Sequence, residues 1–165
     1  MAIIVEDGTI VPNANSYNSD AEYVAYAAAR GITIGADAAA REIELILATD
    51  YVDNELTRMQ SKTDATQSLR YPQSVSYVNG ALVASNVIPN ELKRAQLEAA
   101  ISVFKGVFDV VATASNIKSE SLVTGFKTEY FEGAQQQEAK SDGADTYLDM
   151  LSPTAGGTMF SVVRA

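Results

Sequence analysis

At 165 residues, nearly half of them apolar, the chain is long enough to bury one core and short for two. It carries a formal charge of −9 and contains neither cysteine nor histidine. That composition excludes disulfides and thiolate chemistry and removes the commonest general base and metal ligand. It also makes a poor grip on a phosphate backbone, which needs Lys and Arg to displace counterions.

The acidity is spread evenly, with eleven acids against five bases up to Ile88 and ten against seven from Pro89 onward. The opening MAIIVEDG has no basic n-region and only a four-residue apolar run, so no signal peptide is expected. No window approaches the roughly 18 apolar residues of a membrane span, and a soluble chain made in a cytosol is expected.

The segments 2–5 and 9–11 are rich in β-branched residues and flank Glu6-Asp7-Gly8, which predicts a short hairpin or an extended arm. PNANSYNSD (12–20) reads as a loop of turn formers. Ser19 and Glu22 have the spacing of a capping box, opening a helix from about 20 to Arg30 that Gly31 ends. Its core stripe is predicted as Ala21, Val24, Ala25 and Ala28, small enough for a neighbouring backbone to come close. Asp37 is the expected N-cap of a second helix, Ala38 to about Leu56. There Ala39, Ile43, Ile46 and Leu47 make one apolar face, extended by Tyr51, with Arg41, Glu42 and Glu44 largely off it.

The polar run TRMQSKTDATQ leads as a loop to SLRYPQSV (68–75). Asn79-Gly80 is the favoured pair of a tight hairpin turn, predicting short strands at 75–78 and 81–84. IPNELKRAQLEAAISVFKG is the clearest helix, with Pro89 in its first turn, Glu91 at the positive end of its dipole and Gly106 near its end. Leu97, Ile101, Phe104 and Phe108 form one ridge, and Leu92, Ala95, Ala99 and Val103 another. Two ridges place this helix at the centre of the fold. SESLVTGFKTEYF alternates partly and reads as extended, EGAQQQEAKSDG as linker, and SDGADTYLDMLSP as a short helix with Leu148 and Leu151 on one side. The closing segment, with Met159, Phe160, Val162, Val163 and Arg164, is apolar behind its glycines and reads as a docking tail.

The fold class expected is all-α: a compact bundle of three main helices plus a short C-terminal helix, with extended arms at both ends and a small β-hairpin. One domain spans 1–165, with its helical core at about 19–112 and an extended arm at about 117–165.

Acid pairs occur at Glu6–Asp7, Glu42–Glu44, Asp50–Asp53 and Asp145–Asp149. Asp50 and Asp53 sit one helical turn apart, as a two-carboxylate magnesium site wants, but no third ligand or phosphate loop accompanies them. TAGGT lacks the Lys-Ser/Thr of a P-loop, and no serine sits in Gly-x-Ser-x-Gly. No catalytic residue, cofactor or metal is therefore predicted, and the chain reads as not an enzyme. Arg58, Lys62, Arg70 and Tyr71, with Tyr51 and Tyr77 nearby, are the best nucleic-acid candidates, since cations interleaved with aromatics can stack bases. The structural alternative is preferred. Tyr71 packs on the second helix, Pro72 stiffens the turn and Arg70 pairs with Asp50 or Asp53, making Arg70, Tyr71 and Pro72 a corner.

The blocks MAIIVEDGTIVPNANSY, AEYVAYAAARG, AAREIELILATDYVDN, LRYPQ and IPNELKRAQLEAA, in that order, resemble the head–tail connector or adaptor proteins of tailed bacteriophages. Many members of that family carry a DnaT-like single-strand-binding label. The resemblance covers most of the chain, including SESLVTGFKTEY and SVVRA. It departs at the corner, where the family often has a tryptophan before the proline and an arginine after it, and this chain has Tyr71 and Gln73. The resemblance implies a virion protein at the head–tail interface, assembled in the host cytoplasm. It would form a ring, commonly of twelve subunits, docked on the portal ring and meeting a tail-side connector protein, with double-stranded DNA passing through its channel. Met159, Phe160, Val162, Val163 and Arg164 would then make portal or neighbour contacts. The alternative is a single-stranded DNA-binding accessory protein.

Overall fold

The computed structural model of the chain describes residues 2–56, 62–106, 119–121, 127–129 and 141–152. In chain order its elements are α1 (Asp20–Ala29), α2 (Ala38–Glu55), β1 (Ser76–Val78), β2 (Ala81–Val83), α3 (Asn90–Phe104), β3 (Ser119–Ser121), β4 (Lys127–Glu129), α4 (Asp142–Leu148) and β5 (Leu151–Ser152). Among the described residues no helix is long and apolar enough to cross a membrane.

Short-range chemistry sets the helix ends. Ser19 Oγ accepts the Glu22 N–H at 3.3 Å while a Glu22 carboxylate oxygen accepts the Ser19 N–H at 2.7 Å, so the predicted capping box is complete. At the other end of α1 the Gly31 N–H reaches the Ala28 carbonyl and the Ile32 N–H the Ala27 carbonyl. That pair of bonds is a Schellman motif, and it needs the left-handed conformation Gly31 adopts at φ 65°. Asp37 caps α2 by accepting the Ala39 N–H at 3.2 Å. α3 begins at Asn90, so Pro89 is its N-cap, in extended conformation, rather than part of its first turn.

α3 lies at the centre, against α2 on one side and α4 on the other. Gln96 of α3 bonds Leu45 and Thr49 of α2, while Ser102 Oγ lies 2.9 Å from Ser141 Oγ at the start of α4. α3 buries Leu92, Ala95, Gln96, Leu97, Ala99, Ala100 and Ile101, so both predicted ridges are buried over their first part; Val103 is half-buried, Phe104 stays exposed and Phe108 lies outside the described residues. The core around it holds Tyr17, Tyr23, Leu45, Val52, Leu56, Tyr71, Leu148 and Leu151. Each such aliphatic side chain, fully buried, stabilises the fold by about 1.5–3 kcal/mol before conformational entropy is counted.

The fold is helix-dominated, in line with the expected helices and small hairpin, and among the described residues two small antiparallel sheets accompany the four helices. β1 and β2 form the predicted hairpin, with Asn79 and Gly80 both at positive φ, 49° and 81°, as a type I′ turn requires. β5 then pairs with the free edge of β1, Tyr77 opposite Ser152 and Val78 opposite Leu151, giving the order β2-β1-β5. Leu151, read as part of the last helix, is thus a strand residue; a pairing so distant in sequence leaves no local pattern. β3 and β4 form a second hairpin with Ser119 opposite Glu129.

The N-terminal hairpin does not form. The loop instead folds around Glu6, whose carboxylate accepts the N–H groups of Gly8, Ile10 and Val11 at 2.9, 3.0 and 2.9 Å. Ile10 sits at φ 63°, a strained conformation for a β-branched residue, which these bonds help to hold.

The inward faces of α1 and α2 also differ from expectation. α1 buries Tyr23 and Ala27, while Ala21, Val24, Ala25 and Ala28 are exposed. α2 buries Leu45, Ala48, Thr49 and Val52; Ala39 is exposed, Ile46 and Tyr51 are half-buried, and Ile43 and Leu47 stand 55% and 48% exposed. The reason is area. Tyr23 carries more burial energy than a stripe of alanines, and α2 is apolar on two faces, of which the one bearing Leu45, Ala48 and Val52 fits α3.

Candidate interaction surface

A polar network joins the N-terminal loop to α2 and α3 inside the core. Gln96 is fully buried; its Nε2 donates to Ser16 Oγ at 2.7 Å, Thr49 Oγ1 at 2.7 Å and the Leu45 carbonyl at 3.1 Å. Its Oε1 accepts the Tyr17 N–H at 3.1 Å and Asn18 Nδ2 at 2.7 Å. Tyr17 carries the network onward, its hydroxyl donating to Asp53 Oδ1 at 2.5 Å and accepting the Tyr71 N–H at 3.1 Å. The other Asp53 oxygen accepts the Arg70 N–H at 2.9 Å. Burial pushes the Asp53 carboxyl above the usual aspartate range, and the bonds from Tyr17 and Arg70 pull it part of the way back. Burial, with the Asp53 charge beside it, raises the Tyr17 phenol well above its ordinary value. Nothing in the sequence pattern marks Gln96 as internal, since a glutamine in mid-helix reads as surface.

Arg70, Tyr71 and Pro72 therefore sit on a turn tied to α2 through Asp53. Tyr71 is fully buried and follows onto Pro72 through a cis peptide bond. Lys62 donates to the Gln67 and Ser68 carbonyls at 2.8 and 3.3 Å. Tyr51 bonds Asp145 at 2.5 Å, and Tyr77 is half-buried in β1. The structure thus does not assemble these residues into a stacking platform; Arg58 lies outside the described residues. The acid pairs are likewise separated in role: Glu6 holds the loop, Glu44 accepts from Tyr23 at 3.0 Å, and Asp53 is half-buried while Asp50 is exposed. Among the described residues no three His, Cys, Asp or Glu side chains gather as a metal site.

Most of the described cations are engaged with groups of the same fold. Arg41 forms a two-pronged pair with Asp20, at 2.7 and 2.8 Å, which holds the Asp20 carboxyl below its ordinary value. Lys93 lies 3.3 Å from Glu22. Arg30 lies 3.8 Å from Glu98, with its guanidinium 3.4 Å from the Tyr26 ring centroid, and Tyr26 donates to Glu98 at 2.6 Å.

The described surface also exposes apolar side chains on two helices. Ile43 and Leu47, one turn apart, make a ridge along α2, and Val24 on α1 is 40% exposed beside three exposed alanines of its helix. A contiguous exposed apolar patch, as distinct from single exposed side chains, is the kind of surface that marks an interaction site. Sequence reasoning found these stripes and assigned them to the core. The tail residues Met159, Phe160, Val162, Val163 and Arg164 lie outside the described residues.

No curated protein and no solved structure matches the chain. One family model matches it over residues 1–165, and the chain belongs to that family, described as "Putative DnaT-like ssDNA binding protein".

Proposed function

We propose that this chain is a structural assembly subunit, a head–tail connector adaptor whose helices pack as a bundle within a ring seated on a phage portal. It joins capsid to tail and performs no chemistry. The observation that carries the reading is the outward Ile43–Leu47 ridge of α2, an apolar face left exposed at 55% and 48% with no partner among the described residues. The charge distribution supports it. Arg30, Arg41 and Lys93 sit beside Glu98, Asp20 and Glu22, in a chain of net charge −9. An acidic wall lets DNA pass without adhering. The tail residues Met159, Phe160, Val162, Val163 and Arg164 are the proposed portal or neighbour contact.

The family description favours a second reading, single-stranded DNA binding, over the connector. The two readings part on the solvent-facing chemistry. Base stacking needs presented aromatics; among the described residues Tyr17, Tyr23 and Tyr71 are buried and Tyr26 and Tyr51 are held by Glu98 and Asp145, while Tyr77 and Tyr147 are half-buried and Phe104 alone stands exposed. The test is the mass of the purified protein alone, with portal rings, and with single-stranded oligonucleotides at low and high salt. Added mass on the portal without an oligonucleotide shift supports the connector. A salt-sensitive oligonucleotide shift without portal association overturns it in favour of the family description.

A further inference from the structure

We infer that Asn79 is a deamidation site that its own turn holds shut, with β5 as the element that keeps the turn closed. Asn79 is the chain's one asparagine followed by glycine, and both residues are exposed. The reaction needs no enzyme. The Gly80 backbone nitrogen loses its proton and attacks Cγ of the Asn79 side chain; the amide Cγ–N bond breaks and ammonia leaves. Water then opens the succinimide ring so formed, to isoaspartate or aspartate. Glycine favours the step because no Cβ crowds the attacking nitrogen. Each of the other asparagines is followed by a residue with a side chain.

The folded turn opposes that attack. Asn79 and Gly80, at φ 49° and 81°, are the central pair of the type I′ turn between β1 and β2. In such a turn the first central residue has ψ of about +30°. The Gly80 nitrogen then lies almost opposite Cβ across the Asn79 Cα–C bond. Ring closure needs it on the same side as Cβ, so ψ must swing to negative values and the turn must open. β5 resists the opening. The Asn79 N–H donates to the Met150 carbonyl at 3.0 Å, Val78 pairs with Leu151 and Tyr77 with Ser152. Leu151 is buried in the core and anchors that strand. Without β5 the hairpin would rest on its three residue pairs with β2, and a two-stranded hairpin is marginal alone. Isoaspartate, once formed, puts an extra methylene into the backbone of a two-residue turn, which the Val78–Ala81 register does not accommodate. The change is one-way, and it adds a negative charge to a chain already at −9.

The test is peptide mapping by mass spectrometry after the full chain is incubated at mildly alkaline pH, folded in buffer and unfolded in guanidinium. In the unfolded chain the peptide carrying Asn79 is expected to gain the mass difference between an amide and an acid. In the folded chain the same gain is expected to be slower by about tenfold or more, since only the locally opened hairpin reacts. Leu151→Ala, with its helicity confirmed by circular dichroism, is expected to react faster than the unmodified chain. Leu151→Val, a milder change in the same direction, serves should Leu151→Ala lose its helices. No gain at Asn79 in the unfolded chain overturns the site, and equal rates folded and unfolded overturn the protection by the turn. Leu151 variants that keep their helices and react at the unmodified rate overturn the role of β5.

Discussion

The inward face of α2 offers Thr49 and the Leu45 carbonyl to a buried glutamine, whereas its outward face carries Ile43 and Leu47 into solvent. On the inside, polar groups are tolerated because every one named in the Gln96 network has a partner, and an unmet partner would cost far more than the bond contributes. On the outside, apolar groups are held apart from the core by the geometry of α3, which admits only one of the two apolar faces. The inner face specifies how the loop, α2 and α3 fit together. The outer face makes no comparable contribution to the single chain, and its chemistry suits a second surface.

Changes on the two faces should therefore behave oppositely, and the largest stability loss belongs to the inner one. Gln96→Leu leaves Ser16, Tyr17, Asn18 and Thr49 short of a partner, and equilibrium urea unfolding is expected to show a loss of roughly 3 kcal/mol with an unchanged slope. Tyr17→Phe is next, at about 2 kcal/mol, because Asp53 and the Tyr71 N–H both lose the hydroxyl. Its cost depends on pH. The folded pKa of Asp53 is raised, so the penalty for its charge sets in as pH rises through that value, and the Tyr17 bond restrains it. The deficit of Tyr17→Phe is expected to be larger at neutral pH and to shrink as Asp53 is protonated; a pH-independent deficit would remove Asp53 from the account.

Asp20→Asn should have a smaller effect. The Asp20 carboxyl is held below its ordinary value of 3.8, chiefly by Arg41, so its contribution is present above that value and lost as pH falls through the lowered one. Melting curves of variant and wild type should converge at acid pH. Smallest of all, Ile43→Lys with Leu47→Lys is expected to leave monomer stability within about 0.5 kcal/mol, since both side chains are exposed. A large loss of helicity would mean that the outer face is part of the core after all.

The parts of this fold legible in the sequence are those decided within a few residues. Ser19 with Glu22, Gly31, Asp37 and Asn79-Gly80 act on their own neighbours, and each does in the structure what its spacing implies. Periodicity also located α1, α2 and α3. It could not say which apolar face of α1 and α2 turns inward, because that depends on how Tyr23 and Leu45 fit an element more than 40 residues away. Gln96 and Glu6 were hidden for the same reason: their partners are assembled by the fold. β5 is two residues long and pairs with a strand some 70 residues earlier. Of the candidate interaction surface, the residues were visible and their exposure was not.

Sedimentation velocity of the unmodified chain beside the Ile43→Lys, Leu47→Lys variant tests the central claim most directly. The account predicts a concentration-dependent oligomer for the first and a folded monomer of unchanged helicity for the second. Oligomers of equal size in both samples would contradict it, and so would a wild-type chain that remains a monomer throughout.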